Sequence, residues 1–177
     1  VFFFWGFIAA SNSIFIPFCK THFNLNQFQS QLIGSAFYGA YFIGSLILFI
    51  ASNLLGKDIL NKIGYKRGII YGLLISVVGA LLIIPSATAN SFPAILASFF
   101  VVALGFSLQQ TAAQPFAISL GDPSTGSHRL NLGGSVNSLG TTLGPIIVSF
   151  FLFGKVGGED VKNVTVTNIN TLYLIVA

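Results

Sequence analysis

The most constraining feature of this chain is where its charges are not. The stretches 1–19, 21–56, 68–121 and 130–154 contain no Asp, Glu, Lys or Arg. Each is close to or beyond the roughly 20 mostly apolar residues that cross the hydrocarbon layer of a bilayer. Of the 177 residues, 54% are apolar and 7% charged, whereas an ordinary soluble domain has roughly 25% charged residues. A domain of this size leaves much of its surface exposed, and so few charges cannot solvate it. An ordinary cytosolic enzyme and a disordered chain are therefore excluded. The eight basic residues are scattered and leave no nucleic-acid footprint. What remains is a multi-pass integral membrane protein whose first partner is the lipid bilayer.

In lipid every backbone polar group needs an internal partner, and no alternating strand pattern is visible, so the runs are read as helices. They are expected at about 1–18, 28–52, 68–87, 92–120 and 130–153, with a sixth starting near 171. Val1 lies inside an apolar run and Thr171–Ala177 resembles the start of another, so the chain is expected to be a fragment of something longer. Asn26 and Gln29 have the spacing of a capping box opening the second span. Pro93 suits a first helical turn, and Gly121-Asp122-Pro123-Ser124 is a turn sequence closing the fourth span. Pro115 and Pro145 lie inside spans and are expected to kink them. Lys57, Lys62, Lys66, Arg67 and Arg129 lie on one side of the alternating spans, and Lys20, Lys155 and Lys162 on the other. The excess places linkers 54–67 and 121–129 in the cytoplasm. Small residues recur every fourth position: Ala36, Ala40 and Gly44; Gly68, Gly72, Ser76 and Ala80; Gly140 and Gly144. Such rows let helices approach closely.

All four acids and both histidines are expected in linkers, which leaves no titratable ligand or acid at membrane depth. An intramembrane protease, a haem pair and a metal site each need one, so neither an enzyme nor a cofactor is expected. Cys19 reads as a packing residue. Uncharged polar residues do enter the spans, and they cluster: Ser11-Asn12-Ser13, then Gln109, Gln110, Thr111 and Gln114, then Asn131, Ser135, Asn137, Ser138, Thr141 and Thr142. Amides facing lipid would leave hydrogen-bonding atoms unpaired. They read either as glue between helices or as the lining of a polar pathway, and their number favours the pathway. Amides and hydroxyls, with rings such as Trp5, Tyr38 and Tyr41, suit a neutral polyhydroxylated solute.

Trp5-Gly6-Phe7 with Asn12-Ser13-Ile14 and Pro17, Gln31 to Tyr38, Gly64 to Ile69, Gln110 to Phe116, Arg129 to Leu132, and Asn137 to Thr142 follow one another in a recognisable order and spacing. Together these runs resemble the fucose/galactose/glucose permeases, a branch of the major facilitator superfamily. The resemblance implies an all-α membrane protein, the N-terminal six-helix half of a twelve-helix transporter working by alternating access. It implies a small neutral sugar as partner, the missing C-terminal half of the same chain as another, Na⁺ or H⁺ as coupling ion, and a bacterial inner membrane as location. The expected sugar-binding residues are Trp5, Asn12, Ser13, Gln110, Gln114 and Asn137. The departures concern coupling. Where the proton-coupled members carry an Asp after the helix 1 Asn, this chain has Ser13, and where they carry a helix 4 Glu it has Gln110. The helix 5 Gln of the fucose symporters falls on Gly134, and the acid of the cytoplasmic loop motif on Asn61. Ser and Gln do not titrate near neutral pH. The expected function is thus secondary transport of a hexose or 6-deoxyhexose with no proton carrier in this half. The alternative is a non-transporting sensor or structural protein that keeps the fold.

Overall fold

A computed structural model describes residues 1–54, 56 and 59–153. The sixth expected span near 171 lies outside the described residues, as do Lys57, Asp58, Lys155, Glu159, Asp160 and Lys162. Five long helices carry the fold: α1 (Phe2–His22), α2 (Gln27–Leu54), α4 (Tyr65–Thr88), α5 (Phe92–Ser119) and α6 (Gly126–Phe153), with a one-turn α3 (Ile59–Ile63) between α2 and α4. Among the described residues there is no strand. Helices α1, α2, α4 and α5 are long and apolar enough to cross a membrane. Helix α6 equals α2 and α5 in length, at 28 residues, but its Asn, Ser and Thr residues keep it out of that group.

The helices overrun their apolar stretches. Helix α1 continues through Pro17 to His22, where the sequence suggested a stop near Phe18, and α4 and α6 start earlier than expected, at Tyr65 and Gly126. Both histidines, expected in linkers, therefore belong to helix end turns. His22 stacks on Phe18 one turn back (centroids 5.4 Å apart), and His128 lies exposed in the first turn of α6. The same overrun draws Lys20, Lys66, Arg67 and Arg129 into end turns, where long basic side chains reach past the apolar layer. Proline interrupts none of these helices: Pro17, Pro85, Pro115 and Pro145 all lie within them.

The connections are capped as the sequence suggests. Asn26 Oδ1 accepts from the Gln29 amide at 2.8 Å, and Gln29 Oε1 accepts from the Asn26 amide at 3.0 Å, the reciprocal capping box. Gly64 opens α4 at φ +87°, a backbone conformation that any other residue resists. After α5, Asp122 Oδ1 accepts from both the amide and hydroxyl of Ser124. These bonds, the hydroxyl's first, hold the Asp122 carboxyl below its ordinary pKa. Arg129 closes the turn by donating to the carbonyls of Ala117 (2.8 Å), Ile118 (2.6 Å) and Asp122 (2.9 Å) and to Thr125 Oγ1 (2.6 Å). The guanidinium thereby satisfies carbonyls that the end of α5 leaves without helical partners.

Two packed groups result. Helix α5 carries α4 and α2, while α1 packs on α6. Small residues set both crossings. A Cβ on Gly72 would come within 2.8 Å of the Gln109 amide nitrogen, and one on Gly6 or Gly140 would overlap backbone of the facing helix. Without a hydrophobic drive between helices in lipid, such close backbone contact supplies the association. Between the groups, Phe15 of α1 meets Phe99 of α5 with ring centroids 4.8 Å apart.

Candidate functional site

The polar residues of the spans divide between a partly open cavity where the two helix groups meet and an outer face. The Gly72–Gly105 crossing brings α4 and α5 so close that Gln109, fully buried, reaches Ser76: Nε2 donates to Ser76 Oγ at 2.9 Å. Ser76 Oγ in turn lies 3.0 Å from the Gly72 carbonyl and 3.2 Å from that of Val102. Across from them stands Asn12 of α1, 7% exposed. Ser11, Asn12, Ser76 and Gln109 are the polar part of the wall of a cavity of about 250 Å³, otherwise lined by apolar groups such as Phe15, Phe99 and Phe106.

The outer face is different. Ser13, Thr111 and Gln114 are exposed, and so are Asn131, Ser135, Ser138, Thr141 and Thr142 on α6, while Gln110 and Asn137 are half-buried. Their hydroxyls are turned onto their own helices. Ser13 donates to the Ala10 carbonyl, Thr111 to Ser107, Ser135 to Asn131, Ser138 to Gly134, and Thr141 and Thr142 to Ser138. Each hydroxyl oxygen thus keeps its lone pairs for a solute, while the amides of Gln110, Gln114 and Asn137 can both donate and accept. Asn137 lies against α1 at Gly6, beside Trp5. Trp5 is half-buried, its Nε1 is enclosed without a hydrogen-bond partner, and its ring meets Phe2 edge-on with centroids 4.8 Å apart.

Of the six expected site residues, Asn12 alone enters the cavity. Trp5 and Asn137 are brought close through Gly6, and Ser13, Gln110 and Gln114 belong to the outer face. Gln109 is the polar residue that the expected set lacks. Its signal was present: Gly105, one turn earlier on the same face, marks the side of α5 that packs. Asn61 Oδ1 accepts from Tyr65 Oη at 2.8 Å. Among the described residues, no group of three or more His, Cys, Asp or Glu side chains is placed to hold a metal ion. The arrangement can bind hydroxyls through neutral dipoles, and Ser13 and Gln110 offer no group that would release a proton.

The family model described as Major Facilitator Superfamily matches residues 1–176. A glucose/galactose transporter of Brucella abortus is 42% identical over 146 residues, covering 82% of this chain and 34% of the relative. The L-fucose-proton symporter of Escherichia coli is 36% identical over 156 residues, covering 88% of this chain and 34% of its own length. This chain thus spans about a third of these curated relatives. The crystal structure of FucP, an MFS transporter in the outward conformation, superposes with a TM-score of 0.75 at 31% identity, over 99% of this chain and 44% of that one.

Proposed function

The chain belongs to the Major Facilitator Superfamily, its fold is that of the N-terminal half of such a transporter, and from this premise we propose that it supplies the sugar-binding face of a secondary carrier. The solute is a hexose or 6-deoxyhexose of the glucose, galactose or fucose type. It is moved by rocking of this half against a second one, so that the site between them opens to each side in turn. The observation that carries this reading is the outer polar face of α5 and α6, where Thr111, Gln114, Asn131, Ser135, Ser138 and Thr142 are all exposed. A helix as polar as α6 is costly against acyl chains. It is at home against a wet cleft, where each sugar hydroxyl can donate to a serine or amide oxygen and accept from an amide N–H.

Coupling follows from the same residues. Ser13 and Gln110 stay neutral across the physiological range, so this half binds sugar without carrying a proton. A coupling ion, H⁺ or Na⁺, is then handled elsewhere in the carrier, or transport is passive. The relatives named for glucose/galactose transport and for L-fucose–proton symport support the solute class.

The test is counterflow. Full-length protein in proteoliposomes preloaded with unlabelled galactose, glucose or fucose is expected to draw in the labelled sugar transiently. Saturable sugar binding without exchange would replace the carrier with the sensor reading.

A further inference from the structure

Among the described residues, two buried side-chain amide atoms have no hydrogen-bond partner, and they belong to side chains lining the same cavity. They are Asn12 Nδ2 on α1 and Gln109 Oε1 on α5. Asn12 is 7% exposed and Gln109 is fully buried. The first is a donor and the second an acceptor. The cavity lies where the two packed groups meet, with Asn12 contributed by the α1–α6 group and Ser76 and Gln109 by the α4–α5 group.

A stranded donor or acceptor is costly in an apolar surround, and the cost disappears when one guest satisfies both. The required guest donates to an amide oxygen and accepts from an amide N–H. A cation would face the Asn12 N–H and an anion the Gln109 oxygen, so a neutral hydroxyl compound is selected. The walls are otherwise mainly apolar, which leaves few further partners for the several hydroxyls of a sugar. A water needs two to four polar partners, and Asn12, Gln109 and the hydroxyl of Ser11 on the same wall supply them.

We propose that Asn12 and Gln109 hold a structural water that joins the two helix groups. The bridge continues the bond from Gln109 Nε2 to Ser76 Oγ, so that one polar chain runs from α1 through α5 to α4. The site is separate from the outer polar face and does not depend on what the carrier transports.

The test uses the full-length protein in nanodiscs, labelled with ¹⁵N-asparagine, with Asn12→Gln identifying the side-chain resonance of Asn12. Magnetisation transfer from a long-lived water to the Asn12 Nδ2 protons is expected, unchanged by saturating galactose, glucose or fucose. Absence of transfer overturns the proposal, and so does a shift of that resonance with sugar, which would make the guest the solute. Thermal unfolding of Asn12→Leu, Gln109→Leu and the double variant supplies a second readout. The double variant is expected to unfold no earlier than the worse single one, because removing both partners strands neither. Additive losses contradict a shared guest.

Discussion

Gln109 donates to Ser76 Oγ at 2.9 Å across the contact of α5 with α4, a bond made possible by the absence of side chains at Gly72 and Gly105. Removing the acceptor leaves a buried amide N–H unpaired, which costs about 1–3 kcal/mol. Ser76→Ala is therefore expected to lower the unfolding midpoint, and Ser76→Ala combined with Gln109→Leu to cost less than the sum of the two single losses. Thermal unfolding followed by tryptophan fluorescence in detergent checks this. An unchanged midpoint for Ser76→Ala would show that the bond contributes nothing net.

Close packing at Gly72 gives a second test with an internal control. A Cβ there would lie 2.6 Å from Gln109 Cγ and 2.7 Å from the Gly105 carbonyl, whereas one on Gly39 has nothing within 4 Å. Overpacking of this kind costs about 1–3 kcal/mol. Gly72→Ala should reduce the yield of monodisperse protein in size-exclusion chromatography, and Gly39→Ala should not.

Arg129 donates to three carbonyls and one hydroxyl around the α5–α6 turn. Lysine keeps the charge but lacks the planar fork that reaches several acceptors at once. Water can take over the exposed carbonyls of Ile118 and Asp122, so Arg129→Lys is expected to destabilise by only about 0.5–1.5 kcal/mol, the net worth of an ordinary hydrogen bond. Proteolysis near residues 121–125 should become faster. A cleavage rate equal to wild type would assign Arg129 to topology alone.

The same turn responds to pH. Bonds from Ser124 favour the charged form of Asp122 and lower its pKa. The fold therefore gains from this carboxylate above the ordinary aspartate value of about 3.9, and the gain is lost as pH falls through the lowered value. The ¹³C shift of the Asp122 carboxyl should titrate below the ordinary midpoint, and Ser124→Ala should bring that midpoint up. A wild-type midpoint at the ordinary value would contradict the cap.

Much of this architecture was legible in the sequence because membrane helices obey few, strong rules. Uncharged runs located the long helices, Asn26 and Gln29 announced their capping box, and the rows through Gly44, Gly72 and Gly140 marked the faces that pack. Helix ends were less legible. Apolar content marks the lipid layer and not the last turn, so Lys20, His22 and His128 were left outside helices that include them. The polar residues were visible as a cluster but not as two sets. Gln109 and Gln110 are neighbours of identical chemistry, and apart from the spacing of Gln109 from Gly105 nothing in the sequence separates them; the crossing of α4 with α5 encloses the first. Asn12 and Ser13 separate in the same way.

The central claim is that the outer polar face borders water and sugar rather than lipid. The most direct measurement is the reactivity of a single cysteine at Gln114→Cys, with Leu74→Cys on the apolar side of α4 as control and the fully buried native Cys19 as a silent background. Cys at 114 is expected to react with a membrane-impermeant thiol reagent in proteoliposomes and to be slowed by saturating galactose, glucose or fucose, while Cys at 74 reacts only with a lipid-soluble reagent. Reaction of position 114 with the lipid-soluble reagent alone, unaffected by any of these sugars, would mean that the face lies against acyl chains and is not a carrier's binding surface.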